Sequence, residues 1–243
     1  MINSTSTLFI SDIHLEKSQP EITRQFLKLL NEIRPPVDAL YILGDLFEIW
    51  IGDDGGIPEH QEIIQALRSL TQNGVPVFVL HGNRDFLIGK KFLEETGCQF
   101  LPDESVISIY GQTVLLMHGD TLCTRDIVYI RMRKIIRHPL VQWLFLKLPL
   151  SIRLAIANKI REKSKQHTAV TSYDTMDVTQ DEVRRIMQNH KASCLIHGHT
   201  HRPGFHQFTL QGTAAERIVL GAWHERGNVL VWGEMGRKEW KEL

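Results

Sequence analysis

The sequence predicts an α/β fold of mixed β-sheets flanked by helices, with a helical insertion in its second half. Three observations carry that prediction. Short apolar runs alternate with segments of helical apolar spacing. Five of the runs end in Asp, Asn or His, at the edge where an α/β sheet holds its ligands. The alternation then breaks from Thr124 to about Asp181, where several helical patterns follow one another.

Taken in order, residues 8–11 read as a buried strand, and 20–33 as a helix with Ile22, Phe26, Leu29, Leu30 and Ile33 on one face, closed by Pro35 and Pro36. Residues 39–45 form an apolar run that ends in Gly44-Asp45. A helix over 59–71 and a strand over 75–80 follow, then a short helix over Lys90–Thr96 that Gly97 terminates. Two runs within 106–117 flank Tyr110-Gly111-Gln112 and predict a hairpin, and strand-like runs recur at 205–210, 217–220 and 229–232. Inside the break, 127–136 and 152–160 have helical spacing, with Pro139 and Pro149 as joints. No repeat or linker divides the chain. It is expected to be a single domain, 1–243, carrying a helical cap at about 124–181.

At 243 residues the chain is long enough for a substantial core, and its 42% hydrophobic and 23% charged content argues against disorder. Lys plus Arg balances Asp plus Glu at 28 each, so overall charge gives no reason to expect a nucleic-acid partner. The distribution is uneven, however. Residues 125–165 hold eleven Lys or Arg against Asp126 and Glu162, a net of +9, which leaves −9 for the remainder. Cys98, Cys123 and Cys194 are odd in number and widely spaced, so they suggest reduced cytosolic thiols rather than a disulfide framework or zinc knuckle. Neither a signal-peptide pattern nor a membrane-length apolar stretch is present, and an exported or integral protein is not expected.

The chemistry is concentrated in the run endings. They are Ser11-Asp12-Ile13-His14, Gly44-Asp45, His81-Gly82-Asn83-Arg84-Asp85, His118-Gly119-Asp120 and His197-Gly198-His199-Thr200-His201. Asp12 and His14 lie two apart on an extended run, so their side chains should share a face and reach one ion; His197 and His199 repeat the spacing. Oxygen donors mixed with imidazole suit Mn²⁺, Mg²⁺ or Fe²⁺, and Asp45 has two oxygens with which to bridge a pair. A lone Asp-x-His is more often a hydrogen-bonded loop than a ligand pair. Five such endings converging on one edge point to a metal centre.

The strings Asp12-Ile-His14, Gly44-Asp45, Gly82-Asn83-Arg84-Asp85, His118-Gly119 and Gly198-His199-Thr-His201, in that order, resemble the signature of the calcineurin-like metallophosphoesterases. The longer stretches 44–54, 81–90, 117–124 and 220–227 are similar to the family of UDP-2,3-diacylglucosamine pyrophosphatases of lipid A synthesis along nearly the whole chain. This resemblance implies two Mn²⁺ ions, with Mg²⁺ or Fe²⁺ as alternatives. It implies one ion on Asp12, His14, Asp45 and His199, and a second on Asp45, Asn83, His118 and His197. A metal-bridging hydroxide is then expected to attack the α-phosphorus of UDP-2,3-diacylglucosamine, giving UMP and 2,3-diacylglucosamine 1-phosphate. Asp45, Asn83, Arg84 and His118 are the expected catalytic residues. Asn83, Arg84, Asp126, Ser164, Thr168, Thr171 and His197 are expected at the substrate, with Lys165 nearby.

Arg84 stands where the wider superfamily commonly has a His able to protonate a leaving alkoxide. An Arg gives up no proton at neutral pH, which fits a phosphate leaving group with a pKa of about 6. A structural pairing of Arg84 with Asp85 is the bland alternative. Glu48, Asp53 and Asp54 read as an acidic loop outside the ligand set. The apolar stretch 140–148 suits either fatty chains and an interface or the core of the cap. The resemblance also implies a peripheral protein on the cytoplasmic face of the bacterial inner membrane, with a lipid-linked sugar nucleotide as substrate and no protein partner. Two other classes compete with it. A different dinuclear phosphoesterase would not need the basic, apolar cap, and a non-catalytic scaffold, as in a retromer subunit, would lack metal ligands, of which this chain lacks none.

Overall fold

The computed structural model describes residues 5–170, 177–224 and 226–243, with the side chains of 165 and 167–170 excepted. Eleven strands form two sheets among the described residues. β1 (Ser6–Ile10), β2 (Val37–Leu43), β3 (Val77–Leu80) and β4 (Gln99–Phe100) run parallel, while β10 (Asn228–Gly233) and β11 (Lys238–Glu242) add antiparallel strands beyond β1 in the order β11-β10-β1-β2-β3-β4. The second sheet contains β5 (Ser105–Ile109), β6 (Gln112–Leu116), β7 (Cys194–His197), β8 (Gly204–Leu210) and β9 (Thr213–Val219). Its order is β5-β6-β7-β9-β8, with β6, β7 and β9 mutually parallel.

Both sheets are buried on two faces, which is why their central strands read as unbroken apolar runs rather than as alternations. Phe9, Leu43, Leu80, Val114, Ile196, Leu220 and Trp232 pack together between them. On the outer face of the first sheet lie α1 (Pro20–Glu32), α3 (Gln61–Gln72) and α4 (Lys90–Thr96), which contribute Phe26, Leu29, Leu67 and Phe92 to the largest core cluster, while the short α2 (Asp53–Glu59) contributes Ile57. α1 starts at Pro20, whose missing amide costs nothing in a first helical turn. α4 ends at Gly97 in a left-handed conformation, φ 73°. The second sheet is covered by α8 (Gln180–Asn189), through Val183, Ile186 and Met187. The result is four layers with one helix layer on each outer side.

The break in alternation corresponds to α5 (Ile127–Ile136), α6 (Pro139–Leu146) and α7 (Leu150–Val170). Neither α5 nor α6 has a buried residue, so these helices stand on the domain rather than in its core. Arg153 of α7 is the anchor. Its guanidinium is buried, pairs with Asp54, and donates to the carbonyls of Ile51 at 2.6 Å and Leu148 at 3.0 Å. Asp54 is thereby the outer half of an ion pair. Asp53 is committed as well, accepting from the amides of Gly89 at 2.8 Å and Phe92 at 3.1 Å.

The hairpin, α4 and α5 lie where the sequence places them. β11 escapes a hydropathy reading because Lys-Glu-Trp-Lys-Glu is a charged edge strand with a single apolar residue. Three free cysteines are buried, and burial pushes the thiols of Cys98, Cys123 and Cys194 up to about 12. A thiol with a raised pKa becomes a nucleophilic thiolate only as pH approaches that value. We therefore expect mass spectrometry to find no carbamidomethylation of the native protein by iodoacetamide at pH 8, and labelling of all three cysteines in denaturant.

Candidate metal centre

The parallel strands β1, β2 and β3 deliver their carboxyl ends to one edge, and β6 and β7 do the same from the facing sheet. The loops after β1 and β2 run side by side, with the amides of Asp12, Ile13 and His14 donating to the carbonyls of Gly44 and Asp45 at 2.9 to 3.1 Å. Asp85 ties the third loop in, accepting from the amides of Leu46 and Gly82 at 2.8 Å each. Its partners are backbone amides, so Arg84 is not held by Asp85, and the Arg84 guanidinium faces Glu48 at 3.9 Å. Close approach makes two glycines obligatory. A Cβ at Gly82 would lie 2.0 Å from Asp45 Oδ1, and one at Gly198 would lie 2.2 Å from Asp12 Oδ2.

Asp45 sits at the crossing point. Its Oδ1 accepts from the Arg84 amide at 2.8 Å, while Oδ2 faces His118 Nε2 at 3.7 Å and His14 Nε2 at 3.9 Å. On one side, Asp12, His14 and His201 bring their ligand atoms within 4.8 Å of one another; on the other, Asp12, Asp45 and His118 do so. Asn83 Oδ1 completes the second side, 2.9 Å from His118 Nε2 and 3.0 Å from His199 Nδ1. His118 donates its Nδ1 proton to the Leu43 carbonyl at 2.9 Å, which leaves Nε2 to face inward.

Two side-chain placements differ from the extended-run geometry expected from the sequence. His197, assigned from the sequence to the second ion and to substrate, is fully buried as the last residue of β7. Its Nδ1 bonds the Gly198 carbonyl at 2.8 Å, and its Nε2 lies 3.1 Å from Arg217 Nη1. His199 lies beside Asn83 and His118 instead, and His201 lies beside Asp12 and His14. The strand's two-residue period stops applying once β7 ends, because His199 and His201 adopt left-handed φ values of 69° and 56°. The motif string itself ends on His201 and was the available signal. Asp12 and His14 do converge, but at φ 52° and 54° rather than on an extended run.

A cation fits this arrangement. Asp12 Oδ1 and both ring nitrogens of His14 are buried without a well-formed hydrogen bond, with His201 Nε2 3.4 Å from Asp12 Oδ1 and Glu48 Oε2 2.7 Å from His14 Nδ1, and Asp12, His14 and His201 belong to the same cluster. Burial works to raise the Asp12 carboxyl and lower the His14 imidazole, yet the groups around them reverse both effects. Asp12 is held far below the usual carboxylate range by His201 and His118, and His14 is raised to about 9 by Glu48, Asp45 and Asp12. Such an excess of buried negative charge is what divalent cations neutralise. On the other side, burial and then His118 lower His199 to about 4, so its imidazole is neutral and free to act as a ligand. Burial and Arg217 take His197 down to about 3.

Two cavities meet at the centre. The first holds the titratable groups of the centre, with His14, Asp45, Asn83, Asp126, His199 and His201 on its walls. The second lies under the cap and is apolar, with Trp50, Phe86, Met132, Phe145, Ile156 and Ile160 on its walls. Asn83, Arg84, Tyr129, Ser164, Met132 and Ile160 line both. Asp126 also caps α5, accepting from the Tyr129 amide at 2.9 Å. Thr171 and the side chains of Thr168 and Lys165 lie outside the described residues.

Residues 5–203 match the calcineurin-like phosphoesterase family. The chain belongs to it. Within this family, it is 52% identical over 222 residues to a UDP-2,3-diacylglucosamine hydrolase of Pseudomonas aeruginosa, spanning 91% of this chain and 92% of that one. Proteins of the same name from Pseudomonas entomophila and Enterobacter sp. are 50% and 51% identical, covering 94% and 93% of this chain and 95% and 94% of theirs. Glu48 is the feature of this phosphoesterase that sequence reasoning set aside and the structure puts at the centre. It is buried, 2.7 Å from His14 Nδ1, and its carboxyl is held at about 2, because His14, Arg84 and Arg161 outweigh burial. Nothing in the local pattern distinguishes it from an exposed acidic loop.

Asp12 belongs to both clusters, but the Asp45 carboxylate lies between His14 of one and His118 of the other, and that position sets an order among variants. Asp45→Asn preserves an acceptor for the Arg84 amide and is expected to fold, while Asp12→Ala leaves the second cluster's Asn83, His118 and His199 in place. We expect elemental analysis to find neither divalent ion retained by Asp45→Asn and one retained by Asp12→Ala. An Asp45→Asn protein carrying two ions would sink the bridging role.

Proposed function

We propose that the chain hydrolyses the pyrophosphate bond of UDP-2,3-diacylglucosamine, giving UMP and 2,3-diacylglucosamine 1-phosphate for lipid A synthesis. The observation that carries this reading is the junction of an apolar cavity with a cavity of metal ligands, the two sharing Asn83, Arg84 and Ser164. An amphiphile with a phosphoanhydride between its nucleotide and its acylated sugar matches that sequence of environments. The relatives' name supports the same substrate.

On this reading, Asp12, His14, Asp45 and His201 hold one Mn²⁺, and Asp45, Asn83, His118 and His199 hold the other. When bound, such a pair polarises a phosphoryl oxygen and acidifies water. The remaining work falls to side chains. Arg84, at the junction, holds phosphate oxygens and gives up no proton, so the departing group must leave as a phosphate that needs none. Asp126 and Ser164 orient the sugar nucleotide, Asp126 from the start of α5 and Ser164 from α7. Phe145, Met132 and Ile160 exclude water around the acyl chains.

The same reading places the protein peripherally on the cytoplasmic face of the inner membrane. No described helix is long and apolar enough to cross a membrane. α6 instead has two faces, with Gln142 and Phe145 toward the cavity and Leu140, Trp143 and Leu144 exposed, Trp143 by 56%. The surrounding helices carry the basic excess of residues 125–165, and apolar anchors amid basic residues suit an anionic lipid surface.

Turnover in ¹⁸O-water is expected to place label in UMP, and Arg84→Ala should lose about 3 kcal/mol of transition-state stabilisation, the scale of one removed oxyanion donor. Label in the lipid phosphate would mean attack at the other phosphorus and would overturn the assignment.

The two faces of α6 should separate experimentally. Phe145→Ser is expected to raise KM for the diacylated substrate in detergent micelles and to leave a small model diester unaffected. Trp143→Ser with Leu144→Ser should weaken sedimentation with anionic vesicles while keeping micellar turnover. Equal turnover of UDP-N-acetylglucosamine and the diacylated nucleotide by the unaltered chain would refute the lipid assignment.

A further inference from the structure

Glu48 connects the metal centre to the cap through opposite oxygens of one carboxylate. Oε2 lies 2.7 Å from His14 Nδ1, and the other nitrogen of that ring faces Asp45 Oδ2 at 3.9 Å. Oε1 lies 2.7 Å from Nε of Arg161, a residue of α7 in the cap, and 3.9 Å from Nη1 of Arg84. Arg161 has a second partner, Glu16 Oε2, at 3.1 Å from its Nη2. The carboxylate is carried on a fixed backbone, since the Glu48 amide donates to the Leu15 carbonyl at 3.2 Å, one residue beyond His14.

A carboxylate on the far nitrogen of a metal-ligating imidazole fixes the ring's orientation and tautomer, and losing it typically costs about 10- to 100-fold in metal affinity. Here the same group also seats a cap arginine, so the direction of the His14 ring and the position of α7 cannot be set independently. The arrangement is not needed simply to attach the helix. Arg153, eight residues earlier in α7, already anchors it through Asp54 and the Ile51 carbonyl.

We propose that Glu48 is a positioning residue that couples the cap to the metal centre, so that cation loading beside His14 and seating of α7 at Arg161 stabilise each other. Such coupling is reciprocal by thermodynamic necessity. It gives the enzyme a cap that is firmest when the chemistry below it is fully assembled. The proposal rests on the assignment of His14 as a cation ligand.

The test uses the full-length chain with Mn²⁺ alone as the probe. Affinity is measured by competition with a fluorescent chelator, and amide hydrogen exchange across residues 150–164 is followed with and without Mn²⁺. The unaltered chain is expected to bind two ions and to exchange more slowly in α7 when loaded. Glu48→Gln should weaken one ion by about 10-fold or more, keep the other, and lose the Mn²⁺-dependent slowing. Arg161→Met, which leaves the His14–Glu48 pair intact, should lose the slowing with a smaller loss of affinity. If circular dichroism shows that Glu48→Gln does not fold, Arg161→Met decides, and unchanged affinity with unchanged slowing overturns the proposal. A folded Glu48→Gln protein that binds both ions like the unaltered chain overturns it as well. Absence of Mn²⁺ binding by the unaltered chain would defeat the metal assignment itself, an outcome distinct from two bound ions with no coupling.

Discussion

The Asp45 carboxylate is buried with one oxygen on the Arg84 amide and the other between two imidazoles. Burying an ionised carboxylate costs several kcal/mol unless hydrogen bonds and opposite charge surround it. Those partners cannot come from one strand. They are supplied by loops from both sheets, and this requires the carboxyl ends of β1, β2, β3, β6 and β7 to open on the same edge. The parallel pairing within each sheet, the bare backbones of Gly82 and Gly198, and the tethering of two loops by Asp85 all serve that convergence.

Rigid support for the centre contrasts with the way the cap is attached. The sheets and their covering helices hold apolar clusters with side chains at or near zero exposure, whereas α5 and α6 bury nothing. Polar ties fasten the cap: Arg153 to Asp54, Arg161 to Glu16 and Glu48, and Arg133 to Asp120 at 2.6 Å, with Tyr129 adding a 2.5 Å bond to the same Asp120. Segments secured by few apolar contacts open locally at small cost. On the proposed reading a diacylated substrate would use such an opening, because its chains would enter a cavity that the same helices roof.

Much of this was legible in the sequence where the signal is local. α4 and α5 have their observed limits because a left-handed Gly97 and an uninterrupted helical period mark them. The edge of the sandwich was legible because each central strand is apolar up to its last residue. Geometry beyond a strand end was not. The pairing of His197 with His199 assumed an extended chain, and the backbone turns left-handed at His199, which hands the site to His201. Glu48 was unreadable for another reason: its partners are 34 residues upstream and 113 residues downstream, and sequence spacing carries no trace of either. Phe145 and Trp143 read as one apolar stretch because only the cap's packing assigns them to opposite faces.

Asp12, His14, Asp45, His199 and His201 all have positive φ, between 52° and 69°. An L-residue other than glycine, and to some extent Asn or Asp, gives up roughly 1–2 kcal/mol for each such conformation. The three histidines therefore hold about 3–6 kcal/mol of strain between them, and the two aspartates less. Glycine at any of them would relieve the backbone while removing a donor from the centre. Laboratory selection for heat resistance alone would thus be drawn toward these positions, and a thermostable descendant recovered without an activity screen would tend to be a hollowed scaffold.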